Sequence, residues 1–158
     1  MPSDLYWIDT IDAPRLAIMA RPRAGDWLED EIAYWVRSGV QIVVSLLEQH
    51  EIEDLGLEME AAVCEAAGIQ YLSFPIPDRG LPDDIGDAMD FAKAIISQGK
   101  AIAIHCRAGI GRSSVMAATV LVGRGLEPAK ALSMIQEARG LQIPDTDAQR
   151  DWVLNLVG

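Results

Sequence analysis

Cys106 and Arg112 stand with five residues between them, in the run His105-Cys106-Arg107-Ala108-Gly109-Ile110-Gly111-Arg112-Ser113. Two glycines in that interval let successive backbone N–H groups turn toward one point. A nest of this kind at a helix N-terminus binds a dianion such as phosphate without a metal. A cysteine placed there, beside a fixed guanidinium, has its thiolate stabilised and becomes a nucleophile at neutral pH. Arg112 offers a planar fork to two phosphoryl oxygens, a geometry that lysine does not reproduce. Ser113 puts a hydroxyl one residue further on, placed to stabilise the sulfur when it must depart. His105 is expected to support the loop through hydrogen bonds without itself transferring a proton. The cradle itself would be built by Arg107, Ala108, Gly109, Ile110, Gly111 and Arg112. The bland alternative is a buried structural thiol and an ordinary surface cation. Histidine, two glycines and serine around the pair weigh against it.

The elements that must position this loop follow from periodicity. Short apolar runs of strand length alternate with amphipathic helical patterns, which predicts an α/β three-layer sandwich: a central, mostly parallel sheet of about five strands flanked by helices. Tyr6-Trp7-Ile8 and Leu16 to Met19 read as two strands about a turn containing Asp12 and Pro14. Gly25-Asp26 opens a helix with Leu28, Ile32, Trp35 and Val36 on its apolar face and acids in its first turns, which suit a positive dipole end. Gln41 to Leu46 is the next strand. A polar stretch holding Glu48, His50, Glu51 and Glu53 reads as a solvated loop, with a rim of the substrate groove as its functional alternative. A second helix is expected to bury Leu55, Met59, Ala62, Val63 and Ala66, with Cys64 a structural thiol beside that face. Ile69 to Phe74 is a strand, Pro75 to Pro82 a loop, and Asp83 to Ser97 a helix with Ile85, Met89, Ala92 and Ile96 as its stripe. Asp83 and Asp84 read as N-terminal caps. Ala101 to Ile104 is the last strand and leads straight into the loop. Ser113 to Val122 is apolar nearly all round, so that helix should lie buried in the middle of the fold. Pro128 and Gly140 frame a fifth helix. A sixth, from about Asp147, carries Gln149, Trp152, Val153, Leu156 and Val157 on one face. Trp27, Trp35 and Trp152 read as core or half-core residues.

The totals bound the setting. The sequence has 158 residues, half of them hydrophobic and 23% charged, and residues 1–158 read as a single domain. Thirteen basic against 24 acidic side chains give a formal charge of −11, which disfavours nucleic acid and acidic membranes as partners. An anionic substrate must then be attracted by a local pocket, against the overall field. Two cysteines make no disulfide framework, and the N-terminal residues show no secretory pattern, so a reducing cytoplasmic setting and a monomer are expected.

The loop carries a resemblance. Cysteine, five residues, arginine and serine, preceded by histidine, is similar to the signature of the cysteine-based protein tyrosine phosphatase superfamily. The Gly-x-Gly-Arg-Ser ending resembles its dual-specificity branch. Ser45-Leu46-Leu47-Glu48, Pro75-Ile76-Pro77-Asp78-Arg79-Gly80 and Pro82-Asp83 resemble the small kinase-associated phosphatases. The resemblance covers about Ile42 to Trp152. It implies a metal-free, cofactor-free reaction through a phosphocysteine on Cys106, with a carboxylic acid on a loop some 30 residues before the cysteine protonating the leaving oxygen. Asp78 fits that place, with turn chemistry as its bland reading and Asp83 or Asp84 as substitutes. The family's Gln-Thr-x-x-Gln pattern helps to position water. Thr146 and Gln149 match it and Asp145 replaces the first glutamine, so Gln149 is equally a water-positioning residue and a satisfied packing glutamine. Arg107 and Ile110 make the loop less basic than in inositol-lipid phosphatases. The resemblance therefore implies phosphotyrosine, with phosphoserine and phosphothreonine, on a phosphoprotein or phosphopeptide. Small or lipid phosphates are the second reading, and a silent phosphate-binding module the third.

Overall fold

The computed structural model describes residues 4–8 and 14–157, and Asp12 of the expected turn lies outside them. Five strands form one sheet: β1 (Leu5–Ile8), β2 (Leu16–Met19), β3 (Ile42–Ser45), β4 (Gln70–Ser73) and β5 (Ile102–His105), in the order β1-β2-β5-β3-β4. β1 runs antiparallel to β2, and every other pairing is parallel. Helices on both faces bury the three middle strands completely, which is why Ile42-Val43-Val44 and Ile102-Ala103-Ile104 are continuous apolar runs rather than alternating ones.

The period of two along each strand sends alternate side chains to different layers. Ile18, Ile42, Val44, Ile102 and Ile104 pack with α4 (Ile85–Ile96), α5 (Arg112–Gly123), α6 (Pro128–Arg139) and α7 (Asp147–Leu154). Ala17, Met19, Val43 and Ala103 face α1 (Leu28–Arg37) and α3 (Glu60–Ala66), through Ile32, Trp35 and Cys64. The three-layer α/β sandwich expected from the sequence is the observed architecture. Its centre is α5, buried from Arg112 to Val122 as its all-round apolarity predicts. Truncating one of its large side chains, such as Leu121, to alanine should cost about 2–5 kcal/mol. Among the described residues no helix is long and apolar enough to cross a membrane.

Several elements differ from expectation, each for a local reason. The polar stretch after β3 is a helix, α2 (Gln49–Asp54), whose Glu51 is buried. The expected second helix is only α3, with Leu55 to Met59 as its lead-in. Its inward residues are Glu60 and Cys64 in place of the predicted stripe, and Met59 is 60% exposed. A carboxylate sits on the inward face because a histidine receives it there, which no apolar pattern reveals. α1 follows a 3-10 turn (Gly25–Trp27) that leaves Trp27 exposed, and Val36 lies outside the buried face. In α4 the buried residues are Ala88, Met89, Ala92 and Ile95, while Ile85 at the helix start is exposed. Asp84 caps that helix as expected, accepting from the N–H groups of Gly86 at 2.7 Å and Asp87 at 3.3 Å. Val157 lies past the end of α7 and is exposed.

Because β2, β5, β3 and β4 are parallel, their C-terminal ends share one edge of the sheet, where ligands of open α/β folds bind. Arg21, the loop after His105, α2 and the proline-rich loop after β4 are all delivered there.

Candidate active site

The loop between β5 and α5 folds around outward carbonyls. The carbonyl of Arg107 accepts from the Arg21 N–H at 3.1 Å. Those of Ala108 and Gly109 accept from Arg139 at the end of α6, at 3.3 Å from Nη2 and 3.1 Å from Nε. In a trans peptide the N–H points opposite to the carbonyl, so the N–H groups of Ala108, Gly109 and Ile110 face the other way. Among the described residues none of them donates to another backbone carbonyl outside the regular elements. Gly109 makes the turn possible: its φ is +71°, and a Cβ there would lie 2.6 Å from the backbone of Met19. Gly111 is the N-cap of α5, and a Cβ on it would meet the Asp145 carboxylate at 2.6 Å.

Cys106 sits almost wholly buried at the base of this loop, and Ser113 Oγ donates to its Sγ at 3.0 Å. Arg112 is also buried, 2% exposed. Its Nη1 donates to Glu51 Oε1 at 2.7 Å and to the Ile76 carbonyl at 2.9 Å, and its Nη2 to Glu51 Oε2 at 3.0 Å and Asp78 Oδ1 at 3.2 Å. Arg107 turns its side chain to Glu51 as well, with Nε 2.9 Å from Oε2, so its backbone and not its guanidinium lines the cradle. Glu51 Oε1 further accepts the Glu48 N–H at 3.0 Å. Burial alone would raise the Glu51 carboxyl. Hydrogen bonds from Arg112, the Glu48 backbone and Arg107, with the charge of Arg112, outweigh it and hold the group at about 2. Burial likewise works against the charge on Arg112, and the Glu51 hydrogen bonds, with the charges of Cys106, Glu51 and Asp78, more than restore it.

His105 points away from the cradle. Its Nδ1 lies 3.2 Å from the Cys106 carbonyl oxygen and its Nε2 2.6 Å from Glu60 Oε2. Gln149, fully buried, spends its amide on two partners: Nε2 donates to the Gly80 carbonyl at 3.1 Å, and Oε1 accepts the Thr146 N–H at 3.2 Å. It thereby ties α7 to the loop that bears Asp78. Cys64 is a free buried thiol, pushed up to about 12 by burial and the charges of Glu60 and Glu65. His50 and Glu53 lie exposed on α2.

The structure thus gathers Cys106, Arg112, Ser113, Asp78, His105 and Gln149 around one loop. Two further residues at the site, Glu60 and Arg139, were not singled out from the sequence, and Glu51 was read there only as part of a solvated loop or a groove rim. Only Glu51 left a trace, since Glu48 and Glu51 stand at the spacing by which an acid in a first helical turn reaches back to the residue before the helix.

A buried sulfur, a buried guanidinium and a loop whose carbonyls turn outward thus meet at the C-terminal edge of the sheet in an α/β sandwich. Residues 17–126 match the family model described as "Polymorphic toxin system, DSP-PTPase phosphatase", and the chain belongs to that family. It is 35% identical over 80 residues to "Probable protein tyrosine phosphatase type IVA A" of Dictyostelium discoideum, covering 48% of each chain. It is 28% identical over 108 residues to "Cyclin-dependent kinase inhibitor 3" of Rattus norvegicus, covering 65% of this chain and 50% of that one. The chain therefore spans about half the length of these curated relatives. Among solved structures, kinase associated phosphatase with its catalytic-site cysteine replaced by serine superposes with a TM-score of 0.85 at 19% identity, covering 97% of this chain and 93% of that one. The active form of Tk-PTP gives 0.72 at 27% identity, over 95% and 92%.

Proposed function

We propose that residues 1–158 form one phosphatase domain that hydrolyses phosphate monoesters of proteins, phosphotyrosine together with phosphoserine and phosphothreonine. It acts as a monomer in the reducing cytoplasm, where both free thiols stay reduced. The observation that carries this reading is the buried sulfur of Cys106, 3.0 Å from Ser113 Oγ, at the base of the loop that leads into the buried Arg112.

Arginine has five N–H donors. Glu51 and Ile76 occupy both on Nη1 and one on Nη2, and Asp78 takes the other on Nη2. A phosphoryl group that grips the Nε and Nη2 edge must displace Asp78 from Nη2, which frees that carboxyl to serve the leaving oxygen. Once released from Arg112, Asp78 takes up a proton from solvent or from the monoanionic phosphate ester. The Cys106 thiolate then attacks phosphorus, the P–O bond to the leaving group breaks, and Asp78 gives that oxygen its proton. Water next attacks the phosphocysteine and passes its proton to Asp78. The S–P bond breaks, and Ser113 donates to the departing sulfur, releasing phosphate and restoring the free enzyme. Arg112 and the amides supply the charge neutralisation throughout. Arg107 faces Glu51 rather than the cradle, which leaves a loop weakly basic for inositol lipids and favours phosphopeptides.

The test is turnover of phosphotyrosine and phosphoserine peptides and of soluble inositol phosphates. It compares wild type, Cys106→Ser and Asp78→Asn, each with and without chelator. Wild type should prefer phosphotyrosine peptides and ignore the chelator. Cys106→Ser should be silent, and Asp78→Asn should lose about 10²–10⁴-fold in kcat while binding phosphate more tightly. Activity surviving in Cys106→Ser, or a clear preference for inositol phosphates, overturns the proposal.

A further inference from the structure

Beside the phosphate loop lies a cavity of about 340 Å³ that the reaction above leaves unused, walled by residues 142–147 of the α6–α7 connection and by Arg150 of α7. That volume is at the small end of ligand sites, about 300–1,000 Å³, and has room for one long side chain. The wall is tied down at both ends. Ile143 is buried, and its N–H donates to Gln136 Oε1 at 3.4 Å. Thr146 and Gln149 close a capping box at the start of α7, and Gln149 also holds the Gly80 carbonyl. Asp145, Asp147 and Arg150 are the charged residues of this wall, and all three are exposed. Asp145 joins the cavity to the phosphate loop: a Cβ on Gly111, the residue that opens α5, would lie 2.6 Å from Asp145 Oδ2.

Among the described residues, none of these three side chains makes an ion pair or a hydrogen bond. Two carboxylates against one guanidinium leave the wall with one net negative charge. Helix α7 accounts for Asp147, which sits in its first turn, where a carboxylate suits the dipole. It does not account for Asp145, which precedes the N-cap Thr146 and lies against Gly111 instead. A carboxylate this close to a cradle for a dianion works against phosphate binding. The conflict disappears when the substrate carries a cation next to its phosphate.

We propose that this cavity is a subsite for a residue flanking the phosphorylated one, and that it selects phosphopeptides with a nearby lysine or arginine, whose cation Asp145 and Asp147 receive. An extended peptide advances about 3.3 Å per residue, so a subsite that begins at the phosphate loop serves neighbours within about three residues. Arg150, on the same wall, repels that cation and tempers the preference. The inference rests on the reading of the chain as a phosphopeptide phosphatase and adds which peptides it takes.

The experiment measures kcat/KM for phosphotyrosine peptides of one composition. A single lysine is placed at each near position on either side of the phosphotyrosine, or moved about six residues away. Net charge is then the same throughout, and position alone is compared. Wild type should favour the best near-lysine peptide over the distal one by about fivefold, the scale of exposed ion pairs. Asp145→Asn and Asp147→Asn should each cut that ratio about twofold, and Arg150→Gln should raise it. Glu65→Gln removes the same charge from an exposed position near the end of α3 and should leave the ratio unchanged. Turnover of p-nitrophenyl phosphate, which has no flanking residue, shows that each variant folds and reacts. Wild type that treats near and distal lysine alike overturns the inference, whatever the variants do. So does a ratio that stays put in the double variant Asp145→Asn/Asp147→Asn or falls in Arg150→Gln. Each of these outcomes leaves the phosphatase reading standing. Turnover that survives in Cys106→Ser, or inositol phosphates preferred over every peptide, overturns that reading as well.

Discussion

Glu51 fills its oxygens with four donors: two from Arg112, one from Arg107 and one from the Glu48 backbone. Such a carboxylate fixes the guanidinium plane before any phosphate arrives, and the geometry is largely prepaid in the free protein. Its pKa is lowered from 4.5 to about 2, so the folded state binds fewer protons there than the unfolded chain does. The stability it adds is present above the unfolded value and disappears as pH falls from about 4.5 to about 2. At 1.36 kcal/mol per unit it amounts to about 3 kcal/mol. Glu51→Gln should therefore flatten the acid limb of stability against pH, measured as denaturant midpoints from about pH 6 down to about pH 3. At neutral pH it should cost about 3–5 kcal/mol, because it leaves a buried guanidinium without its counter-charge. A variant with the same acid limb as wild type would refute this.

At the scale of elements, the acid loop is held from two sides. The Ile76 carbonyl binds Arg112 at its base, and the Gly80 carbonyl binds Gln149 of α7. Asp78 hangs between these anchors, 59% exposed. Gln149→Ala removes the second anchor. It should lower kcat about tenfold by loosening Asp78 while leaving the affinity for inorganic phosphate unchanged, and cost about 1 kcal/mol of stability. Steady-state kinetics beside phosphate titration reads both, and a loss confined to phosphate affinity would refute the anchoring role. What the sequence made legible divides along the same lines. Cys106, Arg112 and Ser113 were readable because loop chemistry is local: glycines, a strand before and a helix after all lie within a dozen residues. The buried α5 was readable from composition alone. Glu51 and Glu60 were not. Each sits in a short helix among other acids, where the usual and sound inference is a solvated face. Their burial is decided by arginines and a histidine 45 to 61 residues away in the chain. Nor does the sequence show that Arg139, a common charge in a last helical turn, reaches back 30 residues to hold the loop.

Taken whole, the molecule carries 24 acidic against 13 basic side chains, yet its site holds the buried Arg112, with Arg107 reaching the same Glu51 carboxylate. Distance separates the two effects. Within the cradle Arg112 and the inward amides attract a phosphate, and further out the net −11 field repels anions. Acidic phosphopeptides should then gain in kcat/KM as salt rises from about 0.02 to about 0.2 M, since a Debye length of about 10 Å at 0.1 M screens the far field first. Peptides with basic flanks should lose over the same range. Parallel slopes for both would show that the net charge plays no part in encounter.

Arg139 joins these scales. Its guanidinium lies 4.1 Å over the Tyr6 ring of the antiparallel edge strand while its N–H groups grasp the carbonyls of Ala108 and Gly109. An edge strand of the sheet is therefore a bearing surface for the loop at its centre. A disturbance at the rim, such as loss of the Tyr6 ring, reaches the nucleophile through a single side chain, without crossing the core.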